Sequence, residues 1–449
     1  MDDIVSAIDD RSPQGIAAAI SRLVSSDRLA AGTRLPTVRE LARALGTSPG
    51  TVSGAWQALA GLGVIESRGR LGTFVRAHPR GSHRYAQIRA GGSSTDGGRV
   101  PGFRLDLSTG TPDPLLLPDL GPALARVGGA AHATSYQEDP VHPALAAHLA
   151  ATWPFEAEAL TIVDGALDAL DRVAAELVRF GDRVLVENPT FPGLLDILEQ
   201  RGAVVVPLAT DAQGVLPDAL REGLGGSPVA LFLQPRAQNP SGASMTATRA
   251  RALGRVLKGR DVVVVEDDHS GDIAEAADVS LGRLLPGACV HIRSYSKSHG
   301  PDLRVAAVGG PARVGDALVA RRQLGPGWTS RLLQGVLVDL LRDPVAAAVV
   351  ERARRVYRER REALRTALAA RDVASSPGEG VNLWVSVADE RAALVTLAAA
   401  GIRVSPGSPF VLTSLGGDHV RVTTAMLRDG VEEVADHLAA AAVSPYGPR

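Results

Sequence analysis

Cysteine is nearly missing from this chain: Cys289 is the only one in 449 residues. An intramolecular disulfide is therefore impossible and nothing indicates a cysteine metal site, so no metal is expected. Lysine is almost as rare, with Lys258 and Lys297 the full complement among 48 basic residues. No run of about twenty apolar residues occurs, which speaks against a membrane span. The opening Met1-Asp2-Asp3 is acidic and lacks the charged-then-apolar build of a secretory leader. A cytoplasmic protein is expected.

Net charge is only −1, so charge placement matters more than balance. Arg11, Arg22, Arg28, Arg34, Arg39, Arg43, Arg68, Arg70 and Arg76 face only Asp27, Glu40 and Glu66 in their stretch, a basic island of about +6. Arginine stands nearly everywhere that lysine could. A retained lysine then calls for chemistry that arginine lacks, and forming a Schiff base is one such chemistry.

Periodicity divides the chain. Residues 1–76 read as helices closed by a hairpin: Pro13 to Ser25, a helix capped by Thr37 and ended by Gly46, and a third capped by Thr47 or Ser48. Val64 to Ser67 and Leu71 to Val75 make a two-stranded wing around Arg68-Gly69-Arg70. Residues 77–103, rich in Gly, Ser, Arg and His, read as a flexible linker. From there strands alternate with helices: Leu160–Val163, Val184–Glu187, Val204–Leu208, Ala230–Gln234, Val262–Glu266, Val290–Ser294 and Val305–Gly309. That alternation predicts an α/β large lobe with a mostly parallel sheet over 104–335, and sites at strand ends. A long helix is expected over Pro344 to Ala370, within a small α+β lobe at 336–449.

A capped helix, a glycine turn and a second capped helix are the spacing of a helix-turn-helix. The start of the second helix, Ser48 to Thr51, would meet bases or phosphates. The wing would place Arg68, Arg70 and Thr73 at a neighbouring groove, with Gly72 allowing close backbone approach. The run from Gly32 to Val75, with its LPxxRxLA helix, SxxTV helix start and GxxGTFV wing, resembles the winged helix of the GntR regulators along its whole length. The resemblance implies double-stranded DNA as partner, with Arg34, Arg39, Ser48, Thr51, Arg70 and Gly72 at the DNA. Pro49 and Gly50 depart from it, standing where an Arg and a polar residue are usual.

The second half carries a different set. Lys297 lies in Ser294-Tyr295-Ser296-Lys297 after a strand, with Arg304 seven residues on, whereas Lys258 sits at a helix end where a cation complements carbonyls. Asp267 follows the apolar run Val262–Val265, so a carboxylate stands at the end of a buried strand. Gly165-Ala166-Leu167 joins a strand to a helix start, where free N–H groups hold anions. Phe191 in Asn188-Pro189-Thr190-Phe191 offers a flat contact, and Asn239 follows another strand in Asn239-Pro240-Ser241-Gly242. Singly, each has an ordinary reading as a cap, a turn or a core residue. Jointly they supply what pyridoxal 5'-phosphate asks of a protein: a lysine, a carboxylate, anion donors and a ring platform.

The motifs ENPTFPG, QNPSG, EDDH, SYSK with PDLR, and HVRVT occur in the order of the fold type I, aspartate-aminotransferase-like enzymes, which residues 105–440 resemble. The resemblance implies Lys297 as the Schiff-base lysine, Asp267 at the pyridine nitrogen and Asn239 at the ring hydroxyl. Phe191 would stack on the ring, and Ser294, Arg304 and Gly165–Leu167 would hold the phosphate. Arg421 would clamp an amino-acid carboxylate, and Tyr136 would reach the phosphate of a neighbouring subunit. His269 replaces a tyrosine near the ring hydroxyl, His142 a glycine and Ala146 an arginine. An imidazole at 269 is expected to titrate near neutrality, and little or no turnover is expected with it.

A GntR winged helix followed by this fold is the layout of the MocR-type regulators, which pair head to tail as homodimers. The leading expectation is a transcription regulator sensing pyridoxal phosphate or an amino-acid aldimine built on it. The alternatives are a working aminotransferase with an accessory DNA arm, and a decayed site. Retention of Lys297, Asp267, Asn239, Arg304 and Arg421 argues against decay. Finally, Arg354, Arg358, Arg361 and Arg365 share one helical face. It is expected to be a solvated face, with a DNA-supporting stripe as the sharper alternative.

Overall fold

The computed structural model describes residues 2–25, 28–61, 64–75, 84–85, 103–128, 135 and 137–443. The chain divides into a first unit of residues 1–82 with 179–182 and 199–204, and a second unit of the remaining residues from 83 on. The first contains helices Asp2–Ser6, Pro13–Ser25, Val38–Leu45 and Pro49–Gly61, then an antiparallel wing of β1 (Ile65–Ser67) and β2 (Thr73–Val75). Thr37 accepts from the Glu40 N–H at 3.3 Å while the Glu40 carboxylate accepts from the Thr37 N–H at 2.9 Å. This reciprocal box starts the Val38 helix, and Gly46 ends it at φ 63°. Ile16, Ile20, Leu41, Leu45, Val52 and Leu59 all turn inward and are buried. The Asp2–Ser6 helix has no sequence signal, because five residues are too few for a period.

The second unit holds β3 (Leu105–Leu107), β4 (Ala159–Val163), β5 (Arg183–Asn188), β6 (Val204–Asp211), β7 (Gly214–Val215), β8 (Ala230–Leu233), β9 (Val263–Asp268), β10 (Cys289–Ser294), β11 (Ala306–Gly310), β12 (Asn382–Val387), β13 (Ile402–Pro406) and β14 (Asp418–Thr423). Eight of them form one sheet, in the order β4-β11-β10-β9-β8-β5-β6-β7. The central pairs β5–β8, β8–β9 and β9–β10 are parallel, while β11 runs against both β10 and β4. Val264, Val265, Leu231 and Ile292 are fully buried. Helices cover both faces of such a sheet, so its strands read as unbroken apolar runs. All seven strands expected between 160 and 309 are present, with ends shifted by up to three residues.

The remaining strands form a smaller sheet, β12-β14-β13-β3. β3 pairs in parallel with β13, so residues 105–107 belong with the small lobe although the chain position places them at the head of the large one. Leu107, Leu383, Val385, Val420 and Val422 form its core with the long helix Pro344–Ala369 and the helices Glu390–Ala399 and Val431–Ala442. Among the described residues no helix is long and apolar enough to cross a membrane.

The four arginines of the long helix match the expected solvated face in part. The Arg358 side chain is exposed and that of Arg365 partly so, and Arg354 and Arg365 pair with Glu351 and Glu362 of the same helix, whereas Arg361 is buried. Arg361 is 3% exposed and donates to the Gly380 carbonyl at 3.2 Å and to Glu275 at 2.9 Å. Arg354 holds the Asp272 carbonyl, Arg358 lies 3.8 Å from Glu275, and Arg365 pairs with Glu362. Arg354, Arg358 and Arg361 thus tie the helix to Asp272 and Glu275 of the large lobe, while Arg365 pairs within the helix. Arg361→Ala should therefore cost about 2 kcal/mol of stability in denaturant unfolding and leave the salt slope of DNA binding unchanged. A reduced slope with unchanged stability would restore the DNA stripe.

Candidate functional site

The N-terminal unit presents a helix start and a wing. Ser48 is exposed and spends its hydroxyl locally, accepting from the Thr51 N–H at 3.1 Å and lying 2.8 Å from the Thr51 hydroxyl. Pro49, a departure from the family pattern, is the first residue of the helix it opens; a proline suits that place because its missing N–H is not needed there. Arg39 is exposed. Arg68 is half committed: it donates to Glu66 at 2.7 Å and lies 5.0 Å over the Phe74 ring. Gly72 has φ 110°, and a Cβ there would lie 2.9 Å from Arg34 Nε, so only glycine lets the wing close against Arg34. Thr73 is half-buried in β2. The Arg70 side chain lies outside the described residues.

In the second unit, sheet register assembles the site. The register pairs Val163 of β4 with Ala306 of β11, and Ser294 of β10 with the same Ala306. Gly165, Ser294 and Arg304 therefore meet at one edge, where strands β4 and β10 end and β11 begins. Arg304, at φ 50°, donates to the Asp164 carbonyl at 2.9 Å. Gly165 has φ 100°, and a Cβ on it would sit 2.6 Å from Arg304 Nη2. The helix that follows, Ala166–Leu177, has no side-chain cap, so its first-turn N–H groups face this cradle beside Leu167. Ser294 Oγ is 2.9 Å from Ser296 Oγ.

Two strands away, Asp267 is 6% exposed at the end of β9. Its Oδ2 accepts from Gln234 Nε2 at 2.7 Å, while Oδ1 has no partner. Gln234 Oε1 in turn accepts from the Asn239 N–H at 2.8 Å, and Asn239 Oδ1 accepts from Arg421 Nη1 at 3.1 Å. Arg421 also donates to the Ser108 carbonyl and lies 5.0 Å over the Phe410 ring. Lys297 Nζ donates to the Gly110 carbonyl. Phe191 and Asp267 line one narrow slot with Thr190, Glu187 and Gln234. The anticipated residues Gly165, Ser294, Arg304, Phe191, Asn239 and Asp267 thus lie at the strand ends of the large sheet, with Arg421 bonded to Asn239; Tyr136 lies outside the described residues.

Burial sets the protonation states. It drives the Asp267 carboxyl up to about 6, with Gln234 opposing and Asp268 adding. It brings Lys297 down to about 8, helped by the Arg421 cation and opposed by Asp267. His269 falls to about 3, through burial first and the Lys297 cation second. The expected titration of His269 near neutrality is therefore overturned: the ring is a neutral group, with Nδ1 buried and unpartnered. His142, in the family's glycine place, caps the Pro143–Thr152 helix, its Nδ1 accepting from Ala144 at 3.2 Å.

Sequence reading missed Gln234, Gly110, Glu187 and Tyr85. Gln234 was findable, since it ends a buried strand as Asp267 does. Glu187, inside ENPTFPG, is buried and pushed up to about 8, and its Oε2 accepts from the Gln234 N–H at 2.9 Å. Tyr85 gave no signal within a segment read as linker. Asp268, Asp278 and His291 cluster closely enough to suggest a cation, but Arg236 pairs with both aspartates and Glu266 with His291. Internal charge partners account for them.

Residues 104–438 match the family of aminotransferases of class I and II, and residues 13–75 match the bacterial regulatory proteins of the gntR family. The vitamin B6 salvage pathway transcriptional repressor PtsJ of Salmonella typhimurium is 33% identical over 94% of this chain and 96% of its own. The probable rhizopine catabolism regulatory protein MocR of Rhizobium meliloti is 28% identical over 76% of this chain and 73% of its own. Among solved structures, the α-aminoadipate aminotransferase LysN of Thermus thermophilus, complexed with N-(5'-phosphopyridoxyl)-L-leucine, superposes with a TM-score of 0.69 at 28% identity, over 76% of this chain and 92% of that one.

The lowered Lys297 pKa gives a direct test. An amine reacts only when neutral, so labelling of Lys297 by a small acylating reagent should rise with a midpoint near pH 8, read by peptide mass spectrometry. Arg421→Ala removes the cation that holds this value down and should move the midpoint up. A midpoint at an ordinary lysine value in the unmodified chain would contradict the geometry.

Proposed function

The chain belongs to the MocR-type regulators, gntR-family DNA-binding proteins fused to an aminotransferase class I and II domain, and we propose that its cofactor site senses rather than turns over. It is a DNA-binding transcription regulator that depends on pyridoxal phosphate. The observation that carries the cofactor is Asp267 Oδ1, a buried acceptor left without a donor where a protonated ring nitrogen would supply one. His269 Nδ1 and Arg421 Nε, equally unpartnered, fit the same bound group.

In this reading Lys297 attaches the cofactor and Asp267 pairs with its ring nitrogen. Phe191 lies against the ring, His269 and Asn239 face its hydroxyl side, and Ser294, Arg304 and the Gly165–Leu167 turn hold the phosphate. Once bound, the group supplies an aldehyde carbon that amines attack, and a ring that withdraws electrons from it. Arg421 would receive the carboxylate of an incoming amino acid. The effector is pyridoxal phosphate or an amino acid joined to it, a choice supported by the name of the PtsJ relative. Arg34, Arg39, Ser48, Thr51, Arg68, Arg70, Gly72 and Thr73 would meet DNA. The working form would be a cytoplasmic head-to-tail homodimer in which Tyr136 reaches the partner's phosphate.

A fixed neutral imidazole at 269 supports slow chemistry: it neither ionises as a phenol does nor gains a proton near pH 7, so it is a poor relay. Borohydride reduction of the loaded protein should trap the cofactor on Lys297, and Lys297→Ala should abolish it. The exposed Lys258, at the end of the Ala247–Leu257 helix, should stay unmodified. Arg39→Ala should weaken DNA binding without altering the cofactor absorbance. Steady transamination at roughly 1 per second or faster would make the protein an enzyme with a DNA arm.

A further inference from the structure

Within the segment read as linker, Arg84 and Tyr85 are described, and they are held. Asp196, 7% exposed on the Pro192–Gln200 helix, accepts the backbone N–H of Arg84 on one carboxylate oxygen and that of Tyr85 on the other, both at 2.9 Å. An ionised acceptor taking two backbone donors is a strong and directional clamp. The Tyr85 ring then meets Phe191 edge to face, with centroids 5.2 Å apart at 74°. Phe191 and Asp196 lie five residues apart on one stretch of chain, so the wall that would carry the cofactor ring also anchors the connecting segment. Tyr85 is near enough to Arg421 to offset part of the burial that pulls the guanidinium down to about 10. It therefore sits between the proposed ring platform and the proposed carboxylate clamp.

We propose that Tyr85 is a reader of the cofactor pocket: docked through Asp196 and against Phe191, it couples what the pocket holds to the chain segment that leads to the winged helix. Eight residues separate Val75, the end of the wing, from Arg84. Eight residues reach at most about 29 Å when extended, so docking at Asp196 leaves only a short covalent tether to the wing. A ring bound against Phe191 and a Tyr85 braced edge to face on the same side chain support each other. Coupling of this kind is reciprocal: if docking favours the cofactor by some factor, the cofactor favours docking by the same factor.

The inference rests on the cofactor reading above, and the test separates the two. Full-length protein is titrated with pyridoxal phosphate, and amide hydrogen exchange is followed in the peptide containing Arg84 and Tyr85. Exchange there should slow about fivefold or more on loading, and Tyr85→Ala or Asp196→Ala should weaken pyridoxal phosphate binding by a matching factor. Tyr85→Phe, which keeps the ring, should recover most of that loss, an outcome that general unfolding would not produce. If pyridoxal phosphate loads onto Lys297 but exchange at 84–85 is unchanged and both alanine variants bind it within twofold of the parent, the reader is wrong. If the protein takes up no pyridoxal phosphate, the cofactor reading falls and the reader with it.

Discussion

Asp267 ends a buried strand with one oxygen bonded to Gln234 and the other bonded to nothing. Burial disfavours its charge, which is why its carboxyl rises to about 6. Since the folded value lies above the unfolded 3.8, the folded chain holds this proton more tightly between roughly pH 4 and pH 6. This group alone therefore makes folding less favourable as pH rises through that window. A charge placed so is costly unless a cation meets it, and a protonated pyridine nitrogen is such a cation. The carboxylate also orders its neighbours: Gln234 fixes Asn239 by its backbone, and Asn239 meets Arg421. One buried acid thus reaches, through two amides, the residue proposed to receive a ligand's carboxylate.

The same shortage of water sets the cationic side of the crevice. Lys297 and Arg421 repel one another across Gly110, whose carbonyl Lys297 holds and whose Cβ, if present, would lie 3.2 Å from the guanidinium. Burial lowers both pKa values, the Arg421 cation lowers that of Lys297 further, and the ammonium, the stronger acid of the two, comes within reach of neutral pH. Lys297 thereby becomes a usable nucleophile without any dedicated base beside it. His269, buried and beside the Lys297 cation, stays neutral, an imidazole where a tyrosine is usual.

What was legible in the sequence follows from where each signal lives. Buried parallel strands show as apolar runs, and strand ends rich in Asp, Asn, Gly or Lys mark the crevice, so Asp267, Asn239, Lys297 and Gly165 were visible. The capping box of Thr37 and Glu40 is local, and it too could be read. Long-range pairing is silent in one dimension. Nothing near Leu105 tells that β3 joins β13 almost three hundred residues on, and nothing near Arg361 announces Glu275 as its partner. Helical spacing gives a face but not what covers it, so the burial of Arg361 within an otherwise accessible stripe was hidden. His269 misled for a related reason, since its pKa is set by Lys297 and by burial rather than by its chemical type.

His269 and the anchored Tyr85 have a common lesson about how a sensor can be derived from an enzyme's fold. An enzyme needs its crevice to exchange protons and release product, and a titrating group near the ring serves that end. A sensor needs the bound state to differ mechanically from the empty one, which a neutral, fixed ring wall and a docked connecting segment provide. The chain carries the lysine and arginine proposed to capture an amine, beside an imidazole that burial first and the Lys297 cation second hold near pKa 3. Asp196, five residues after Phe191, holds the backbone of Arg84 and Tyr85, and the proposed coupling would run through that contact.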